Sequence, residues 1–167
     1  MNEASPARRS DRLADLLAGA IAGIPAGIAY LIVEGIDNRI SGRRLYDLQL
    51  LGRPFARSPR RANLIGLVMH LGNSVALGGL YGVVVEKRLP GPPIVKGVIF
   101  VTIENSVLYP FLALERFHPA RKADDMGSYW SVRSWLWTMP RHFGYGAVLA
   151  VGFDRLRHAR DERPERT

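Results

Sequence analysis

Glu104, Asn105 and Ser106 lie halfway along the apolar stretch 94–117, IVKGVIFVTIENSVLYPFLALERF, which is long enough to cross a bilayer as a helix. A carboxylate at the middle of a spanning helix costs about 3 kcal/mol on insertion scales, so it is expected to face a partner or a wet cavity. Two other stretches supply candidate partners. His70, Asn73 and Ser74 stand at i, i+3 and i+4 and therefore share one helix face. Arg141 and His142 follow Pro140 just before another apolar run. At 1.5 Å per residue, His70 lies about 10 Å, Asn73 about 14 Å, Glu104 about 18 Å and Arg141–His142 about 10–12 Å below the face shared by the first and third loops. The polar residues of three helices therefore fall in one leaflet.

The set His70, Asn73, Ser74, Glu104, Asn105, Arg141 and His142 admits several chemistries. In a structural reading, Glu104 pairs with Arg141, and the histidines and amides complete a network that fixes helix register. Such a pair contributes specificity more dependably than stability. In a transport reading, Glu104 exchanges a proton in a small cavity with His70 or His142 as relay. Anion or headgroup binding at Arg141, beside interfacial tryptophans, is a third. A b-type haem held by His70 and His142 on facing helices is a fourth, with no other haem signature to support it. No catalytic set is expected: H-E-x-x-H, G-x-S-x-G, a P-loop and G-x-G-x-x-G before a helix are all missing, and no His/Asp cluster has metal-ligand spacing. There is no cysteine, which removes thiolate chemistry and disulfides. Neither a metal nor a cofactor is therefore expected.

These residues must be positioned by helices in lipid. The 167-residue chain is 47% hydrophobic, yet most of its charge lies outside four nearly uncharged stretches. A soluble core helix rarely needs such stretches, whereas a membrane span does. The expected fold is all-α: a membrane-embedded four-helix bundle with an amphipathic interfacial helix in the first loop. A single membrane domain is expected over 13–156, with spans near 13–33, 64–85, 94–116 and 134–153 and an interfacial segment near 43–52. Polar tails flank it at 1–12 and 157–167. The Arg-led N-terminus resembles a signal peptide, but its apolar run exceeds a typical h-region and reads as a retained first span.

Gly19, Gly23 and Gly27 repeat every four residues on one face of the first span, and Gly78 and Gly82 continue a similar pattern from Ser74. Small residues at this spacing let helix backbones approach closely, within the chain or across a homodimer. Pro25 and Pro110 are expected to bend their helices. Leu45, Leu48 and Leu51 recur at helical spacing and point to a helix lying in the headgroup plane. The short turn at 90–93 makes the second and third spans antiparallel neighbours. Tyr129, Trp130, Trp135 and Trp137 form an interface-type aromatic cluster. The fourth span either starts near Ser134 and carries Arg141 inside, or follows an interfacial segment 129–139 with Pro140 in its first turn. Net charge is +8, and the arginines flank apolar spans, which suits anionic headgroups of the bilayer and not nucleic acid. Basic residues divide almost evenly between the two sides, so orientation stays open.

Residues 69–114 resemble the YagU-like group of small bacterial inner-membrane proteins. The similarity lies in His70, in Tyr81, Gly82 and Glu86 near the end of one span, in a Pro-containing turn, in Gly97 opening the next span and in Pro110 near its close. The resemblance implies a multi-pass protein of the bacterial inner membrane and carries no catalytic residue. The expected function is that of a small, non-enzymatic membrane protein, alone, as a homo-oligomer or as an accessory subunit of a larger complex. Its buried network is mainly structural, with Glu104-dependent transport and haem binding as alternatives.

Overall fold

A computed structural model describes residues 6–124 and 126–162; the ends of both expected tails lie outside them. The chain is all-α. Helix α1 spans Pro6–Ser41, α2 Asp47–Gly52, α3 Pro59–Leu80, α4 Pro93–Leu108, α5 Pro119–Lys122 and α6 Val132–Asp161. A π-helical turn, Tyr81–Val85, prolongs α3, and a 3₁₀ segment, Tyr109–Phe117, prolongs α4. The switch to 3₁₀ falls at Pro110, which has no N–H to continue the α ladder. Three stretches are long and apolar enough to cross a membrane: Ser10–Ser41, Pro59–Val85 and Pro93–Phe117. Helix α6 has the length, at 30 residues, but carries Arg133, Arg141, His142 and Asp154.

The four long helices pack as a bundle in the lateral order α3, α1, α6, α4. Small residues set that order. A Cβ on Gly19 would stand 2.1 Å from the Gly78 carbonyl oxygen, and one on Gly23 would stand 2.1 Å from that of Ser74. The glycine face of α1 is therefore spent on α3 within the chain. Gly97 and Gly146 do the same for α4 and α6. No such seam joins α3 to α4. They were expected to lie side by side because the turn between them is short, but α4 packs mainly on α6 and meets this helix chiefly at its Tyr81–Val85 end. Adjacency in sequence loses to the backbone-to-backbone seams that each helix makes elsewhere.

Opposite its glycines, α1 exposes Leu13, Leu17, Ile21, Ile24, Ile28 and Ile32, an apolar stripe suited to lipid. The core between helices is built on Ala22 and Ala26 of α1, Phe100 and Val101 of α4, and Leu149 and Phe153 of α6, with Tyr81 from the π turn. Helix α2 is the short helix expected in the first loop, and it seats on α3: the backbone of Ala62 lies against Gly52, and that of Leu48 against Gly66. Leu45 then closes a second small core with Ala120, Met126 and Tyr129, which joins the first and third loops on one face of the bundle.

The opposite face is closed by ions. Buried Asp15 pairs with Lys87 (2.6 Å) and Arg160 (3.2 Å). Glu86 pairs with Lys96 (2.8 Å) and Arg157 (3.0 Å). These pairs gather the start of α1, the turn after α3, the start of α4 and the end of α6.

Candidate functional site

Two polar centres occupy the half of the bundle nearest the first and third loops. The first is built on Arg141, whose side chain is fully buried. Helix α6 starts at Val132, its end capped by the Ser131 hydroxyl accepting from the Ser134 N–H (3.0 Å), and runs unbroken through Pro140. The interfacial segment with a late helix start is thus replaced by one helix that carries Arg141 into the bundle. Helix α1, for its part, continues past its apolar run through Glu34 and Asp37. Arg141 donates to Glu34 (2.9 Å) and to the Leu45 carbonyl (3.1 Å) through Nη1, and to Asp37 (3.1 Å) through Nη2. Asp47, at the start of α2, completes the set at 3.5 Å.

The expected Glu104–Arg141 pair is therefore corrected: Arg141 is taken by Glu34, Asp37 and Asp47. The reason is geometric. The carboxylates at i and i+3 on α1 share a face, and the first loop folds Asp47 back over them. Glu34 also accepts from the Asp47 N–H (3.1 Å). Asn38 holds the loop by donating to the Leu45 carbonyl (2.9 Å). Three carboxylates around one guanidinium would repel one another, and hydroxyl donors relieve this. Tyr30 donates to one Asp47 oxygen and Tyr129 to the other (2.6 Å). Burial, and then the neighbouring Asp47, push the Tyr129 phenol above its ordinary range, so its O–H remains a donor. Tyr129→Phe, which removes a hydrogen bond to a charged group, is expected to lower unfolding stability by about 1.5–3 kcal/mol. Thermal unfolding in detergent checks this; an unchanged midpoint would mean that Asp47 does not need this donor.

The second centre is a cavity of about 180 Å³ lined by the four long helices together with α2, the 3₁₀ segment and Tyr129 of the third loop. His70, Asn73 and Ser74 line it from α3, Glu104 and Asn105 from α4, and His142 from α6. The polar set read from the sequence, Arg141 excepted, thus meets around one space. Its members are not equivalent. His70 Nε2 donates to the Gly27 carbonyl (3.0 Å) and His142 Nδ1 to that of Thr138 (2.9 Å). The Ser74 hydroxyl donates to the His70 carbonyl (2.8 Å). Tyr145 donates to the Ser74 carbonyl (3.0 Å). Asn105 is buried and its Nδ2 has no partner among the described residues. Asn73 is exposed, at the mouth. The Glu104 carboxyl has no hydrogen-bond or ion-pair partner among the described residues, although it stands in the cavity wall.

The residues do not fit a haem. The Tyr30 ring packs against both imidazoles, with centroids 5.1 Å from His70 and 5.1 Å from His142, where a porphyrin would have to lie. A space of about 180 Å³ does not hold a macrocycle. No group of three His, Cys, Asp or Glu residues is placed to hold a metal ion among the described residues.

Glu34, Asp37 and Asp47 were not among the expected site residues. The signal was present: Glu34 and Asp37 share a helix face beside an apolar run, and Arg141 needed anions. Of the expected packing glycines, Gly19 and Gly78 face each other, Gly23 and Gly27 lie on Ser74, and Gly82 meets the backbone of Asp15 and the ring of Phe153.

No curated protein and no solved structure matches the chain. The similarity to the YagU-like group stays a resemblance over residues 69–114. A family model does match, over residues 13–163, and so takes in both polar centres. The chain belongs to DUF6789, a family of unknown function.

Proposed function

We propose that this is a non-enzymatic, multi-pass protein of the cell membrane in which the Arg141 cluster is scaffold and Glu104 is the working group of a cavity that handles protons or a small solute. One observation carries the reading: Glu104 has no ion-pair partner in the cavity wall, while Arg141 is engaged by three other carboxylates. A carboxyl that holds no helix in place, at a depth where charge is expensive, is retained for something other than folding. The acceptor nitrogens left on the two histidines, Nδ1 of His70 and Nε2 of His142, are suited to relay a proton from it. An inner-membrane location rests on the YagU-like resemblance alone.

The test is proton-linked flux in proteoliposomes carrying an internal pH dye. Wild-type protein is expected to dissipate an imposed pH gradient, and Glu104→Gln to fall to the rate of empty liposomes with an unchanged melting temperature. Flux that survives Glu104→Gln sinks the reading.

A further inference from the structure

The cavity wall has a chemical bias. It presents the rings of Tyr30, Tyr109, Tyr129, Trp135 and Tyr145 together with the carboxyls of Glu104 and Asp47, and it contains no lysine or arginine. Ring faces carry negative electrostatic potential and attract organic cations, most strongly where water is excluded. Asp47 is already occupied by Tyr30, Tyr129 and Arg141. Glu104 therefore supplies the uncommitted negative charge. The unpartnered Asn105 Nδ2 adds a buried donor beside it, for a neutral oxygen on a ligand.

Access is the second feature. Helices α3 and α4 both line the cavity yet pack little on each other, and Asn73 of the lining is exposed. Helix α4 exposes Ile103, Val107 and Leu108. Cavities of about 150 Å³ hold a benzene-sized ligand, so this space of about 180 Å³ takes an ammonium head and a short piece of chain. A zwitterionic lipid headgroup would bring a phosphate into a wall with no cation to meet it.

We propose that the cavity binds a lipophilic organic cation, a single-tailed amine or quaternary ammonium, whose head sits against Glu104 among the rings and whose tail leaves between α3 and α4 into the bilayer. This rests on Glu104 being the working group of the cavity and names its ligand class.

Full-length protein in dodecyl maltoside is titrated with octyltrimethylammonium by calorimetry, with octanol as the neutral control. Saturable binding of the ammonium is expected. Its affinity should fall by about tenfold or more in Glu104→Gln, hold in Glu104→Asp, and have no saturable counterpart with octanol. Octanol binding as tightly as the ammonium, or Glu104→Gln binding like wild type, overturns the proposal, as does the lack of a saturable site. Displacement of the probe by added phosphatidylcholine but not phosphatidylglycerol would assign the site to a choline headgroup and overturn the free-cation assignment. Flux that depends on Glu104 without ammonium binding removes only the ligand class; flux that ignores Glu104 removes the preceding reading.

Discussion

Arg141→Leu is expected to cost about 3–5 kcal/mol of unfolding free energy, the range for removing one partner of a buried ion pair. The loss is large because the guanidinium serves Glu34, Asp37 and Asp47 together, and Asp37 alone keeps a second cation among the described residues, Arg43 at 3.8 Å. Adding Glu34→Gln to Arg141→Leu should restore part of the loss, so that the pair is clearly non-additive. Adding Glu104→Leu should not: it makes no ion pair with Arg141, and its effect should add within about 0.5 kcal/mol. Urea or thermal unfolding in lipid nanodiscs measures Arg141→Leu, both double variants and the Glu34→Gln and Glu104→Leu single variants. A stable Arg141→Leu single variant, or strong coupling between positions 104 and 141, would contradict the cluster as described.

Gly23→Ala is expected to be nearly as severe for its size. The added methyl group would stand 2.1 Å from the Ser74 carbonyl oxygen, and that oxygen is backbone, so α1 and α3 must move apart. Overpacking of this kind costs about 1–3 kcal/mol. The same carbonyl accepts from Tyr145 at the cavity wall, so the shift should also disturb the site. Gly35→Ala is the matched control, since nothing lies within 4 Å of a Cβ there. Both substitutions raise helix propensity alike, so the difference between their melting temperatures reads the seam alone. Equal midpoints would mean that α1 and α3 are not in backbone contact at Gly23.

Three of the long helices were legible because lipid imposes long uncharged runs, and the short helix in the first loop because Leu48 and Leu51 keep helical spacing, although Leu45 lies ahead of it. The common depth of His70, Asn73, Glu104 and His142 was legible from residue counting, and these residues do border one cavity. The partners of Arg141 were not. Counting depth treats an acidic residue beyond the apolar run as loop, but α1 stays helical for two more turns and keeps Glu34 and Asp37 on its inner face. Asp47 comes from a loop whose fold depends on Asn38 and Tyr129, contacts without periodicity. The sparse packing of α3 on α4 was hidden for a related reason. Glycine spacing shows that a helix can approach another closely, but not which one, and α3 spends its small residues on α1.

The position of Arg141 also bears on biogenesis. In a chain made from its N-terminus, Glu34, Asp37 and Asp47 leave the ribosome long before residue 141. Until α6 enters, the acidic end of α1 and the first loop lack their shared cation, and the turn between α1 and α2 is held by Asn38, by Tyr30, by the Asp47 N–H on Glu34 and by the Arg43–Asp37 pair. Insertion of the last helix therefore locks the first. A nascent chain stalled before α6 would present membrane quality control with an open hairpin whose Glu34 and Asp47 lack their cation, whereas a finished one hides them behind a single side chain.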